Sequence, residues 1–187
     1  MGIIKTFKRK IIKINNFFSK DLTISNKNII VTGANSGIGL DLVSKLNDNK
    51  NNILAFVNKN KENIEKINSN KIRIITCDFS DVKLIKDHTK IISDFKPNII
   101  INCAASFGPS KQNYENLDID HYNLILNINV FSPFLIIQEA LKNDNAIKQI
   151  VNITSKMGSI TLNKVGDYYY YRTSKTLLNA ITKNLSL

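Results

Sequence analysis

The amino-acid sequence predicts an α/β fold: a doubly wound parallel sheet covered by helices on both faces. Three observations carry this expectation. Short β-branched apolar runs alternate with helical patterns from Lys27 onward, and the first run leads straight into a glycine-rich turn. No repeat and no Gly/Ser- or Pro-rich linker divides the chain, which at 187 residues and 43% hydrophobic content can bury one sizeable core. Two units follow: a basic amphipathic extension over residues 1–26 and a folded domain over residues 27–187.

The extension holds Lys5, Lys8, Arg9, Lys10, Lys13 and Lys20 and no acidic residue, more than half of the net charge of +11. Ile4, Phe7, Ile11, Ile14 and Phe18 recur at three- and four-residue steps, so a helix here sets an apolar stripe beside a cationic face. Such a helix lies on an anionic membrane or acts as a targeting sequence. Gly2 and Thr6 also fit the loose N-myristoylation pattern. The alternative is an extension that folds back on the domain or stays disordered. The remainder is mildly basic without an interleaved Arg/aromatic stripe, which argues against nucleic acid as a partner. No apolar run is read as long enough to span a bilayer. Cys77 and Cys103 sit in apolar strand-like runs, and His88 and His121 are isolated, so neither a disulfide framework nor a metal site is expected. Reduced thiols point to the cytoplasm, with peripheral membrane contact through residues 1–20 left open.

Along the chain, residues 28–32 form the first strand, and Ile38, Leu42, Val43 and Leu46 mark one side of the helix that follows. Residues 53–57 read as the second strand, 60–68 as a short polar helix and 72–77 as the third strand. Residues 82–95 read as one helix, 98–103 as a fourth strand introduced by Pro97, about 121–141 as a long amphipathic helix and 149–154 as a fifth strand. Near-continuous apolar strands separated by helices belong to a parallel sheet buried on both faces.

The first strand ends in Val31-Thr-Gly-Ala-Asn-Ser-Gly-Ile-Gly39. A glycine-rich turn between a buried strand and a helix lets backbone N–H groups and the helix N-terminus face an anion. Gly33 permits the tight exit, Gly37 a close approach of a pyrophosphate, and Gly39 the packing of helix on strand. The spacing Thr32-Gly33-x-x-x-Gly37-x-Gly39 resembles that of the short-chain dehydrogenase/reductase family, a Rossmann-like fold. The resemblance implies cofactor contacts from Asn35, Ser36 and Ile38 within this loop. It also implies contacts from Asp78 and Phe79 after the third strand, where the family aspartate meets the adenine ring. Asn102-Cys-Ala-Ala105 resembles the family's Asn-Asn-Ala-Gly, with Cys103 and Ala105 as departures, and implies further contacts from Asn102 and Ala104.

The end of the second strand chooses the cofactor. A carboxylate there holds the ribose 2′-hydroxyl of NAD, whereas a cation accepts a 2′-phosphate. Asn58 and Lys59 occupy these positions, with no carboxylate until Glu62. NADP is therefore expected, with NAD the alternative.

Asp167-Tyr-Tyr-Tyr-Tyr-Arg-Thr-Ser-Lys175 contains four consecutive tyrosines, of which only Tyr171 has a lysine four residues on. In a helix that lysine lies one turn along on the same face. An ammonium about 5 Å from a phenolate favours the anion by roughly 3 kcal/mol at an effective dielectric near 20, which makes the phenol a usable acid and base. Tyr171 is thus the chemical candidate and its neighbours are packing or wall. The pair matches the family's catalytic Tyr-x-x-x-Lys, and Lys175 also reaches the cofactor ribose in that family. By the same resemblance Ser155 is the serine that meets the substrate oxygen, with Ser159 and Thr154 as runners-up. Asn129 is implied in a water-linked proton relay to the lysine. The long spacing from Ser155 to Tyr171, together with Thr-Ser-Lys-Met-Gly-Ser-Ile and Tyr-Arg-Thr-Ser-Lys-Thr-Leu-Leu-Asn-Ala, resembles the C-factor-like, carbonyl-reductase branch.

The resemblance implies hydride transfer between NADP(H) and a carbonyl or alcohol, a small-molecule carbonyl substrate, and a homodimer through helices over 121–141 and 171–187. Family members continue beyond the tyrosine-bearing helix with further strands and a substrate-covering segment. The expectation is therefore a chain cut short at its C-terminus, and the alternative function is a non-catalytic relic or nucleotide-binding and dimerisation module.

Overall fold

The computed structural model describes residues 24–142 and 147–187. The helix expected over residues 1–20, its membrane contact and the lipidation of Gly2 lie outside the described residues. Five strands, β1 (Asn28–Thr32), β2 (Asn52–Val57), β3 (Ile72–Thr76), β4 (Ile99–Asn102) and β5 (Gln149–Asn152), form one parallel sheet in the order β3-β2-β1-β4-β5. Register places Val31 beside Ala55 on one side and Ile101 on the other, with Val151 beyond.

Strand alternation divides the core in two. Ile29, Val31, Ile53, Ala55 and Ile101 face α1 (Gly37–Asn47) and the short α2 (Glu62–Glu65), meeting Leu42, Val43, Leu46 and Ile64. Ile30, Leu54, Phe56 and Ile100 face the opposite layer, where Ile85 of α3 (Lys83–Asp87), Ile92 of α4 (Thr89–Phe95) and Ile136 and Ile137 cover them. The result is the expected three-layer α/β fold.

The long helix expected over 121–141 runs from Ile119 to Leu141 in three parts: α5 (Ile119–Leu126), a widened π turn (Asn127–Phe131) and α6 (Ser132–Leu141). It is 23 residues long and apolar enough to cross a bilayer, contrary to the sequence reading, but half of its most apolar stretch is buried inside the domain. The buried half of that stretch belongs to the core layer. The last helix, α7 (Tyr169–Leu185), packs beside α5 and the π turn.

Several local expectations change. The helix read over 82–95 breaks at His88, whose φ of −101° and ψ of 5° leave the helical region. The polar helix read over 60–68 shrinks to four residues, since only Ile64 gives it a buried anchor. Ile38, grouped with the core face of α1, is 57% exposed and instead borders a cavity.

Gly39 sets how closely α1 meets β1. A Cβ there would stand 2.1 Å from the Gly33 carbonyl oxygen, a backbone atom that cannot step aside. Gly39→Ala is therefore expected to lower the unfolding free energy by about 2 kcal/mol or more, read as a reduced urea midpoint. An unchanged midpoint would mean that α1 does not start in contact with Gly33.

Candidate active site

The strand order reverses direction between β1 and β4, and in such sheets the crevice outside the carboxyl ends of those strands takes the ligand. Here Thr32, 1% exposed, closes the gap: its Oγ1 accepts from the N–H groups of Cys103 and Ala104, both at 3.0 Å. Gly33 leaves β1 at φ +65°, and a Cβ on it would strike Ala104 Cα at 2.7 Å. Only glycine allows the two strand ends to meet this closely. Gly37 has φ +50° and faces open space, with nothing within 4 Å of where a Cβ would project. Ser36 caps α1 with extended backbone and no side-chain bond to the first turn. The first-turn N–H groups thus lie at an open, glycine-lined cradle, an arrangement that fits phosphates.

A cavity of about 550 Å³ occupies this crevice, within the range of small-molecule sites. Gly33, Asn35, Ser36, Ile38 and Gly39 form one wall, and Asn58, Cys77, Asp78 and Phe79 another. Cys103 to Ser106, Ile128, Ile153 and Thr154 lead to Tyr171 and Lys175. The structure therefore brings most of the expected cofactor residues together. Lys59 is exposed beside Asn58 and is not part of the wall. Asp78 accepts from Ser80 N–H at 3.0 Å and from Ser80 Oγ at 2.7 Å. These bonds hold its carboxyl below the ordinary range, with a smaller pull from Lys59. Phe79 is 7% exposed and tilts against Phe56 at 6.0 Å, so its ring is largely core.

Asn102, expected near the cofactor, is not among the residues that line the cavity. It is 2% exposed, and its Nδ2 donates to Asn152 Oδ1 at 2.8 Å, while Asn152 Nδ2 donates to Thr182 Oγ1 at 2.9 Å. This chain of amides ties β4 to β5 and β5 to α7.

The four tyrosines separate by environment. Tyr168 stands at φ +54° just before α7, and Tyr169 is 42% exposed. Tyr170 is fully buried. Its hydroxyl donates to Asn116 O at 2.8 Å and accepts from the Asp118 N–H, and its ring stacks on Tyr122 at 5.1 Å. Tyr171 lines the cavity, and its hydroxyl takes no hydrogen-bond partner among the described residues. Lys175 Nζ lies 5.7 Å from the Tyr171 ring centroid, as the one-turn spacing predicts.

Lys175 is 2% exposed, and its Nζ donates to Ile153 O at 3.1 Å. Burial lowers its pKa from 10.5 to about 8, partly opposed by nearby Cys103. Burial raises the Cys103 thiol in turn, against the pull of Lys175. Asn129, fully buried in the π turn, commits its whole side chain: Oδ1 accepts from Ser106 N–H at 2.8 Å, and Nδ2 donates to Ser106 O and Ser174 Oγ, both at 2.9 Å. Ser155 Oγ accepts from Met157 N–H at 3.1 Å and retains its own O–H to donate. Thr154, the runner-up, is the hydroxyl residue after β5 that lines the cavity, and Ser159 Oγ accepts from Leu162 N–H at 3.3 Å.

Sequence reasoning missed Cys77, Cys103, Ala105, Ser106, Ile128 and Ile153 in the wall, and Gln112 behind it. Ser106 and Ile153 were detectable in principle, since each follows the carboxyl end of a strand at the switch point.

The lysine yields a stability prediction. Because folding depresses its pKa, the unfolded chain binds more protons between about pH 8 and 10.5, and stability rises with pH across that window. Below pH 8 the buried charge exerts its full penalty. Lys175→Met is therefore expected to raise stability of the ligand-free protein by about 1–3 kcal/mol at pH 7, the advantage shrinking toward pH 10.5 in thermal melts. An advantage that does not change with pH would contradict a buried, titrating ammonium.

Residues 27–187 match the family described as short chain dehydrogenase. The uncharacterized oxidoreductase TDA5 of Saccharomyces cerevisiae is 25% identical over 167 residues, covering 84% of this chain and 48% of that protein. The chain spans about half the length of the curated relatives it matches. Among solved structures, a short chain dehydrogenase from Burkholderia cenocepacia J2315 in complex with NADP shares the fold at a TM-score of 0.75 and 20% identity, over 88% of this chain and 69% of that one. The carbonyl reductase Sniffer of D. melanogaster gives a TM-score of 0.70 at 26% identity, over 86% and 74% of the two chains.

Proposed function

The chain belongs to the short-chain dehydrogenases and reductases, and from that premise we propose that it interconverts a carbonyl and an alcohol with NADP(H), using Tyr171 as the proton donor and acceptor. The observation that carries this reading is an unpartnered phenol in the cavity, one helical turn from a buried ammonium. The turn of Gly33, Gly37 and Gly39 would hold a nicotinamide dinucleotide, which when bound would supply the hydride. The chain's own groups do the rest. Tyr171 gives its phenolic proton to the carbonyl oxygen and takes it back in the reverse direction. Ser155, which follows the cavity-lining Thr154 and keeps its O–H free, turns that O–H to the same oxygen on substrate binding. Lys175 stabilises the phenolate while it is charged, so alkaline loss of its proton weakens the site. Asn129 acts by position, fixing Ser174 next to Lys175 and the loop at Ser106.

The preference for NADP rests on Asn58 in the cavity wall, the exposed Lys59 next to it and the lack of a carboxylate at the end of β2. The NADP-bound Burkholderia relative and the Sniffer carbonyl reductase support the cofactor and the branch by analogy. The proposal includes a homodimer through the helices over 121–141 and 171–187, where Phe131 and Phe134 are 42% and 43% exposed.

Two measurements test this function. Fluorescence titration is expected to show NADPH binding about tenfold tighter than NADH, the value of one charge-assisted phosphate contact. Asn58→Asp should reverse the order by placing a carboxylate at the ribose. Tighter NADH binding by the parent chain would overturn the preference. For the chemistry, Tyr171→Phe should abolish NADPH-dependent carbonyl reduction while keeping NADPH affinity, and Ser155→Ala should cost roughly 10²-fold in kcat. Phe at Tyr168 or Tyr169 should leave residual turnover. Full activity in Tyr171→Phe would remove the proposed proton donor, and NADPH binding without turnover by the parent would favour the binding-module reading.

A further inference from the structure

The loop leaving β4 carries a side chain that the reaction above does not use. Phe107 is 43% exposed, yet its ring is held in place. Its centroid lies 4.9 Å from that of Tyr171 and 5.4 Å from that of Tyr168, with the rings tilted by 40° and 60°. These are separations at which aromatic pairs attract.

Backbone anchors fix the loop on both sides of the ring. Gln112 is 2% exposed. Its Nε2 donates to the carbonyls of Phe107 at 2.8 Å and Pro109 at 2.7 Å, and its Oε1 accepts from Tyr171 N–H at 3.1 Å. The main-chain carbonyl of Gln112 accepts from Tyr169 N–H at 3.0 Å. One buried amide thus joins the β4 loop to the first turn of α7. On the other side, Asn129 pins both main-chain groups of Ser106. Tyr168 contributes its ring from φ +54°, a left-handed conformation that costs about 1–2 kcal/mol for a side chain of this kind. Such strain persists only where surrounding contacts impose it.

An exposed phenyl ring, clamped beside the chemical phenol, gains nothing from solvent and is ordered in advance for a ligand. In the cavity wall nearby, Cys103, Ala104, Ala105 and Ile153 are uncharged, and Lys175 is the charged side chain beside them. The geometry points to an aromatic subsite: Phe107, framed by Tyr168 and Tyr171, receives a flat unsaturated group attached to the carbonyl carbon, so the substrates are aryl or conjugated carbonyls and not short aliphatic ones. Gln112 is the positioning residue of this subsite. The inference rests on the reading of Tyr171 as the group that addresses the carbonyl oxygen, but its test does not depend on turnover.

The chain contains no tryptophan, so a naphthyl ketone can be excited without interference from the protein. Binding of 2-acetylnaphthalene to the full chain with NADP⁺ present, which has no hydride to transfer, and its displacement by octan-2-one, give the affinity ratio of an aryl to an aliphatic methyl ketone. The parent is expected to favour the aryl ketone by at least tenfold. Phe107→Ala should erase that ratio, and Phe107→Tyr should keep it. Gln112→Leu should reduce it with NADPH affinity unchanged, the control for folding. Tyr171→Phe should keep the ratio, because the ring remains, so loss of the proton-transfer role and loss of the aromatic subsite are read separately. A parent that binds neither ketone, a parent that binds both alike, or a Phe107→Ala variant that retains the ratio would each overturn the proposal.

Discussion

A primary ammonium group held inside the sheet's carboxyl edge is the constraint on which the site depends. Lys175 reaches inward from α7 and meets the Ile153 carbonyl at 3.1 Å, with its charge disfavoured by burial. An ammonium in such a place is expensive unless something it faces becomes negative or supplies acceptors. Around it stand a phenol whose ring centroid lies 5.7 Å away and the cavity at the glycine-rich turn. In the proposed reaction, the ammonium that weakens the ligand-free fold is the charge that faces the phenol.

The fold holds this charge in register through contacts that leave little freedom. Gly158 lets the turn after β5 lie against α7, where a Cβ would stand 2.8 Å from the Lys175 carbonyl carbon. Asn102, Asn152 and Thr182 link β4, β5 and α7 through side-chain amides and a hydroxyl. At the other end of the crevice Thr32 joins β1 to β4, and Gly39 brings α1 against Gly33. The glycine-lined cradle and the Tyr171–Lys175 pair are therefore joined along one carboxyl edge of the sheet, the preorganised arrangement that the proposed reaction requires.

What could be read from the amino-acid sequence follows the range of the physics involved. The parallel sheet was legible because buried strands write themselves as continuous apolar runs, as in Ile29 to Val31 and Leu54 to Val57. Tyr171 was separable from its three neighbours because a helical turn is a local relation, and the structure assigns Tyr170 to the core and Tyr171 to the cavity. Gln112 was not legible: its bond to Phe107 is local, but its bond to Tyr171 closes over nearly sixty residues of intervening chain. Asn102 matched a motif, yet its partner Asn152 lies on another strand, so its bond to β5 emerged only in three dimensions. Ile38 fitted a helical stripe, but at the first turn of α1 that stripe overhangs the cavity and not the sheet.

The most direct test of the account is the titration of Lys175 itself, followed through the side-chain ¹³Cε resonances of the lysines in the ligand-free protein. One resonance, missing in Lys175→Met, should titrate near pH 8, with its midpoint moving upward when NADPH is added. If every lysine resonance titrates above pH 10 with and without NADPH, no strained ammonium stands behind Tyr171, and the central claim fails.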